Sequence, residues 1–567
     1  MQPAPVAQLA GSRWKNDSPV GGSGAPDPAA ADLLSATRLF CPALLSDLAY
    51  RYFIIHFTKK ASLPYNVRMP KDNNKKQEEI MIRSVTQRVL LLFALVSLLA
   101  APLAAQEKAL TDSPRVKEAL NLLDIWLESE LGYKRMPGIS IAVVHDQELV
   151  WSNGYGFSNI KDGVPARPDT IYSICSISKL FTSTAIMQLR DAGKLDLDDP
   201  ISKYLSWFEI KKSDPNAPPI TIRSILSHSS GLPRESEQPF SGEPHLPWPD
   251  REDMIEKLPE QETLYPVDTY FQYSNLGMTL LGEIVAAVSG QSYDDYIYEH
   301  ILEPLGMSDT TPYMPEKEYG GRLAIGYSRW ERDSDRVQLP LFSAKGFTPA
   351  AGLASTAIDL GKFASWQFRT LENKNNDVLS GYTLKEMQRV HWVDPDWETK
   401  WGLGFATWRS KDKTFVGHGG NCPGYRTNLA ISPQDKIAIV CMANAADARS
   451  EMFTDKAYEI VAPAIAESLK DSEEPQPAST DLKKYTGLYR THWGEIAVFE
   501  WKGSLATISL PSASPADAIT ELKQVDGNVF RRVRKDGNLG EEHIFELDAD
   551  GNVKWYKSFS YYMKKIK

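Results

Sequence analysis

The segment VLLLFALVSLLAAPLAA, residues 89–105, is the most apolar stretch of this 567-residue chain, and it does not lie at the N-terminus. Arg83 and Arg88 precede it, and polar sequence begins at Gln106. A basic flank, an apolar run and small residues at its end form the three parts of a secretory signal. Met81 opens a complete example of that pattern, MIRSVTQRVLLLFALVSLLAAPLAAQ. The expectation is therefore a true start at Met81, a signal peptide over 81–105, and a misassigned or disordered extension over 1–80. A single membrane anchor is the alternative, because 17 residues approach the ~20 that a spanning helix needs. Either reading exports the rest of the chain, so the expected location is periplasmic or secreted. Export permits disulfides, but only Cys175, Cys422 and Cys441 follow the signal. An odd number of well-separated cysteines reads as small buried hydrophobes.

Charge narrows the partners. With 63 basic and 73 acidic residues the net charge is −10, and no local Lys/Arg run offers a nucleic-acid footprint. The 42% hydrophobic and 24% charged content excludes collagen-like, coiled-coil and wholly disordered chains. No C-x-x-C motif or Cys/His cluster reads as a metal site, and nothing calls for a cofactor. The expected partner is a small-molecule or peptide substrate, with membrane contact only through an uncleaved N-terminal segment.

Residues 116–131 carry helical periodicity, with Leu120, Leu123, Ile125, Trp126 and Leu127 as the apolar set. Two strand-like runs follow, ISIAVVHD from Ile139 and ELVWSNGYG from Glu148, joined by a short polar turn that predicts a hairpin. From about 171 to 345 the pattern is mainly helical, broken by loops. Seven prolines between 233 and 266 forbid a continuous helix there. Strand signals return over 414–443, and a helix pattern over 451–469 closes the unit. Strands at both ends of a helical insertion predict an α+β domain, 106–470, whose sheet is completed late. A polar linker at 471–480 leads into short alternating runs over 481–567, spaced by Asp526-Gly527, Asp536-Gly537 and Asp550-Gly551. These predict a small all-β barrel or sandwich.

Three local patterns carry chemistry. Ser176-Ile177-Ser178-Lys179 is one of four S-x-x-K motifs; the others begin at Ser12, Ser158 and Ser410. Only Ser176 opens a strong helical pattern, and residues i and i+3 are neighbours on a helix. Lys179 can then approach the Ser176 hydroxyl and act as its base if burial depresses its pKa. The bland alternative is an N-cap serine beside a surface lysine. Tyr273-Ser274-Asn275 sits on a turn before a helix over 276–288, stopped by Gly290. Its phenol can relay protons, and its amide can hold a substrate or order a lysine; a packed Tyr with a capping Asn explains it equally well. Gly417-His418-Gly419-Gly420 strips side chains from a strand, as expected where a ligand backbone approaches. A bulged strand with a structural His is the alternative. His228, among small polar residues in a turn, is assigned to loop structure.

In this order, the three patterns resemble the penicillin-recognising serine hydrolases, specifically the class C β-lactamase-like branch with its D-peptidases and esterases. ILSHSSGLP (225–233) is similar to that family's LLTHTSGLP loop, and AAGLASTAIDLGKF (350–363) to its GGLxSTxxDLxRF helix start; ILEPLGMSDT (301–310) is a further similar segment. The resemblance covers about 115–468. It implies a β-lactamase/transpeptidase-like fold, an antiparallel sheet with a helical subdomain. It also implies Ser176 as acylated nucleophile, Lys179 as its activator and Tyr273 as general acid/base. Asn275, His418, Gly419 and Gly420 would contact substrate, with the amides of Ser176 and Asn421 forming the oxyanion hole. One departure stands out: His418-Gly419-Gly420 replaces the K-T-G of β-lactamases, and a His neutral for much of the time at pH 7 supplies less charge for a substrate carboxylate. Efficient β-lactam hydrolysis is thereby disfavoured relative to ester or amide chemistry. The tail, opening with Tyr485-Thr486-Gly487-Leu488-Tyr489-Arg490, resembles a lipocalin-like C-terminal domain, which in such proteins covers the active site or serves as a passive module.

The expected function is an exported, cofactor-free serine hydrolase working through an acyl-enzyme on D-amino-acid peptides, small esters or β-lactams. The rival is a catalytically weak penicillin-binding-like sensor or cell-wall binding protein.

Overall fold

Two strands of this protein are apolar at nearly every position, because each is covered on both faces. In the computed structural model, which describes residues 109–236, 248–372, 377–470 and 480–567, they are β1 (Gly138–His145) and β9 (Ile437–Ala443). They pair antiparallel from Ile139↔Ala443 to His145↔Ile437, as the third and fourth strands of a nine-stranded sheet. Successive side chains of a strand point to opposite faces. Ile139, Ile141 and Val143 thus enter one core with Ile437, Ile439 and Cys441. Ala142, Val144, Ala438, Val440 and Met442 enter the other.

The first core is roofed by α1 (Pro114–Lys134) and by α5 (Ser450–Ser468). Helix α1 starts where Ser113 accepts from the Val116 amide with Pro114 at the first turn, and ends at Arg135, whose φ of 49° is left-handed. The second core is filled by α2 (Ser178–Asp191), α3 (Asn275–Ser289) and α4 (Ala357–Leu371). The remaining strands are β2 (Glu148–Asn159), β3 (Val164–Pro165), β4 (Trp392–Val393), β5 (Lys400–Trp401), β6 (Ala406–Ser410), β7 (Lys413–Cys422) and β8 (Tyr425–Ser432). The sheet order is β3-β2-β1-β9-β8-β7-β6-β5-β4. This is the predicted α+β architecture, with its last three core strands supplied late. Within the Pro-rich stretch, the described part holds one short α-helix, Arg251–Lys257, which runs into a 3-10 turn at Leu258–Glu260.

Between barrel and sandwich, the C-terminal module is a barrel. Strands β10 (Gly487–Thr491), β11 (Gly494–Trp501), β12 (Ser504–Leu510), β13 (Thr520–Asp526), β14 (Val529–Val533), β15 (Leu539–Leu547), β16 (Val553–Ser558) and β17 (Tyr561–Lys565) close on themselves, β10 pairing with both β11 and β17. Eight strands leave an interior that side chains can fill. Tyr485, Tyr489, Phe530, Phe545 and Tyr556 fill it, with Phe545 stacked on Tyr556 at 4.7 Å. The outer faces of β11 and β12 bring Ala497, Phe499, Ala506, Ile508 and Leu510 into the α1/α5 core. Trp126 Nε1 of α1 donates to the Ser512 carbonyl at 2.9 Å. No helix among the described residues is long and apolar enough to cross a membrane. The extension and signal segment expected at 1–80 and 81–105 lie outside the described residues, as does the linker expected at 471–480 except for Thr480.

Candidate active site

The nucleophile candidate is presented by a strained turn. A short ribbon pairs Tyr172–Ser173 with Ala354–Ser355; the chain then reverses through Cys175, whose φ is 51°. That left-handed conformation is costly for a residue with a Cβ and concentrates at functional sites. The tight turn Cys175–Ile177 leads straight into α2, leaving Ser176 half-buried at the helix N-terminus, where peptide dipoles favour negative charge. Of the other S-x-x-K serines, Ser158 and Ser410 lie in strands and Ser12 lies outside the described residues.

One turn along, Lys179 is completely buried. Its Nζ lies 3.2 Å from Ser176 Oγ, 2.6 Å from Asn275 Oδ1 and 2.8 Å from the Ala350 carbonyl oxygen. Two of those neighbours only accept, so each takes an N–H of Lys179, and in its neutral form the amine keeps a lone pair for the Ser176 proton. Burial pushes the Lys179 pKa down to about 7, with Glu235 opposing and Arg234 assisting. The surface-lysine alternative is thereby excluded.

The Tyr273-Ser274-Asn275 turn is fixed from both sides. Ser274 caps α3 by accepting from the Gly277 amide at 2.8 Å, and the Ser274 amide donates to His228 Nδ1 at 3.2 Å. His228 is thus a loop residue, as expected, and its ring also supports Tyr273 at 4.5 Å. Lys179 Nζ and the Arg234 guanidinium each lie 4.9 Å from the centroid of the Tyr273 ring. Burial pushes its phenol pKa up, a trend opposed by a hydrogen bond with Ser176 and by the Arg234 charge. Asn275 orders the lysine, one of the two roles its position allowed.

Strand β7 forms the far wall. Its pairing with β6 ends at Gly417, whereas β8 continues to pair with it through Cys422, so 418–422 has a partner on one side only among the described residues. Gly420 is required there: a Cβ would stand 2.3 Å from the Ile174 carbonyl oxygen and 2.1 Å from Thr427 Oγ1. The same Thr427 hydroxyl donates to Ile174 at 3.1 Å, tying the strand to the nucleophile turn. His418 donates from Nδ1 to the Gly419 carbonyl, which leaves Nε2 as an acceptor 3.5 Å from the Tyr273 hydroxyl. Burial and the Lys179 charge push the His418 pKa down to about 3. The imidazole is therefore neutral at pH 7 and offers no cation where K-T-G would.

A pocket of about 290 Å³ collects these pieces. Ser176, Tyr273, Asn275, His418, Gly419, Gly420 and Asn421 all line it, and Lys179 lies beneath its floor. Arg234, Trp248, Ala351, Arg426 and Glu451 complete the wall, none of them anticipated from sequence. No residue of the barrel lines this pocket, so the covering role open to that module is not seen among the described residues. Glu235 was also missed. It accepts from Asn275 Nδ2 at 2.6 Å, and burial raises its pKa to about 7. Its only sequence signal is its place two residues after the SGLP loop. Cys175, Cys422 and Cys441 are buried free thiols, as expected.

A model of the Beta-lactamase family matches residues 124–462. The chain belongs to that family. It is 29% identical over 479 residues to Beta-lactamase-like protein 2 of Dictyostelium discoideum, spanning 82% of this chain and 83% of that protein. Among solved structures it is similar to the octameric penicillin-binding protein homologue from Pyrococcus abyssi, with a TM-score of 0.54 and 26% identity over 78% of this chain and 99% of that one. It shares its fold with D-amino acid amidase from Ochrobactrum anthropi, with a TM-score of 0.50 and 24% identity over 63% and 99% of the two chains. The family member therefore joins a β-lactamase-like domain to a closed eight-stranded barrel.

Proposed function

We propose that this β-lactamase-family protein is an exported serine hydrolase that cleaves small amides and esters through an acyl-enzyme on Ser176. The carrying observation is Lys179 Nζ, buried, held by two acceptors and 3.2 Å from Ser176 Oγ. In acylation Lys179 takes the Ser176 proton as Oγ bonds to the substrate carbonyl carbon. The oxygen that gains charge is received by the amides of Ser176 and Asn421 at the helix start and strand edge. When the intermediate collapses, the bond to the leaving nitrogen or oxygen breaks, and that atom takes a proton relayed from Lys179 through Tyr273. Water then attacks the acyl carbonyl, giving its proton back along the same pair as Oγ departs protonated.

The unpaired edge at 418–422 suits an extended peptide or amide backbone. The pocket carries guanidinium groups from Arg234 and Arg426 and a carboxylate from Glu451. That mixture matches a small substrate with charged ends, such as a short D-amino-acid peptide, or one with a single ammonium, such as a D-amino-acid amide, better than one recognised by a lysine at the third motif. The test is turnover of a D-amino-acid amide, a p-nitrophenyl ester and a chromogenic cephalosporin by wild type and Ser176→Ala. Ester and amide turnover should exceed β-lactam turnover and vanish in the variant. Turnover that survives Ser176→Ala would refute the assignment.

A further inference from the structure

Glu235 lies in a loop, and no substrate contact requires it, yet its carboxylate is largely buried beside the floor of the pocket. Its side chain is 16% exposed. Oε1 accepts from Asn275 Nδ2 at 2.6 Å and lies 3.3 Å from Arg234 Nε, whereas Oε2 is buried without a partner among the described residues. On the other side of the same amide, Asn275 Oδ1 accepts from Lys179 Nζ at 2.6 Å. The polarity of this chain is forced: a carboxylate takes the amide N–H, and the amine takes the amide oxygen. Resting on the reading of Lys179 as the base for Ser176, we propose that Glu235 is a positioning residue that serves, through Asn275, as the buried counter-charge for the lysine.

Proton transfer from Ser176 creates an ammonium in a fully buried site, which is costly unless a compensating charge is already in place. Glu235 supplies it one amide away, polarising Asn275 Oδ1 toward the proton that Nζ gains. The other charged or titratable groups around the pair are Arg234 on the same loop, Tyr273 ahead of α3, Cys175 and Cys422, and the two neutral imidazoles of His228 and His418. Among these only Glu235 opposes the loss of the lysine's proton as a carboxylate. Its own pKa, raised by burial to about 7, places both members of the pair in one titration range, where protons belong to the pair.

The experiment measures the second-order rate of Ser176 labelling by a fluorophosphonate probe as a function of pH, on the full chain. In wild type the rate rises with pH through about 7, as Lys179 loses its proton. Glu235→Gln keeps the acceptor for Asn275 and removes the charge. Its rising limb should move to lower pH by about half to one unit, and its plateau should fall about threefold as the base weakens. Glu235→Ala, which also frees the Asn275 amide, should lower the plateau further. A Glu235→Gln profile that superimposes on wild type overturns the proposal. A plateau loss in Glu235→Ala with no shift of midpoint in either variant assigns a merely structural role and overturns it as well. Unchanged labelling in Ser176→Ala would instead refute the assigned nucleophile, so the two failures are distinguishable. If Glu235→Ala does not fold, Glu235→Gln alone carries the test.

Discussion

The same pair of side chains, a buried histidine beside a tyrosine hydroxyl, occurs in both halves of this protein. In the barrel, His543 Nδ1 is hydrogen-bonded directly to the Tyr556 hydroxyl, within a lumen packed by Tyr489 and Phe545. In the β-lactamase-like domain, His418 Nε2 faces the Tyr273 hydroxyl at 3.5 Å. Electrically the pairs are alike, since burial pushes His543 down to about 4 and His418 to about 3 and raises both phenols. What differs is the company. Tyr273 borders a pocket and shares its surroundings with a buried amine and a half-buried hydroxyl, whereas Tyr556 is sealed among aromatic rings. A buried His–Tyr contact is thus packing in one place and, in the proposed mechanism, the border of a proton path in the other. The amine beside a hydroxyl decides which.

Substitutions can break that contrast, beginning with the largest effect. Ser176→Ala should lower kcat/KM by roughly 10³-fold or more, because no other group supplies the nucleophile. Lys179→Met should lose activity to a similar degree while raising Tm. A lysine pKa held down at about 7 means that the unfolded chain binds more protons between pH 7 and its ordinary value of 10.5. Wild-type stability therefore rises with pH across that window. The variant's gain in Tm should be greatest at or below pH 7 and vanish as pH approaches 10.5, as thermal melts across pH would show. Tyr273→Phe should cost about 10²-fold in kcat with its fold intact, the usual scale for losing a proton-transfer group. In the barrel, Phe545→Ala should cost about 3–5 kcal/mol of stability by opening a cavity, yet leave kcat per folded molecule within about twofold of wild type. A large fall in kcat there would mean that the barrel reaches the site after all.

Much of this arrangement was legible in residue order, for an identifiable reason. Ser176, Lys179, Tyr273 and Asn275 lie at the starts of helices, where spacing along the chain maps onto proximity in space. The two central strands were legible because burial on both faces makes them apolar throughout. Alternation alone could not separate a barrel from a sandwich, since strands of both alternate in the same way; the barrel was legible through the lipocalin-like resemblance that opens at Tyr485. Ala350 could not be read, because it contributes a backbone carbonyl, which leaves no trace in residue identity. Glu235, Arg234 and Glu451 were missed because they come from a loop and a helix start distant in sequence, placed by the packing of α3 and β7 rather than by any local period. His418 was found by its glycines, but its neutrality is a consequence of burial beside Lys179.

The central claim is that one hydroxyl, Ser176, carries the acyl group. Acid-quenching the protein during turnover of a slow p-nitrophenyl ester and mapping its peptides by mass spectrometry tests this directly. The account predicts a single acyl adduct on the peptide containing Ser176, increased in Tyr273→Phe if deacylation is slowed, and absent from Ser176→Ala. An adduct on another residue, or one that persists in Ser176→Ala, would contradict it.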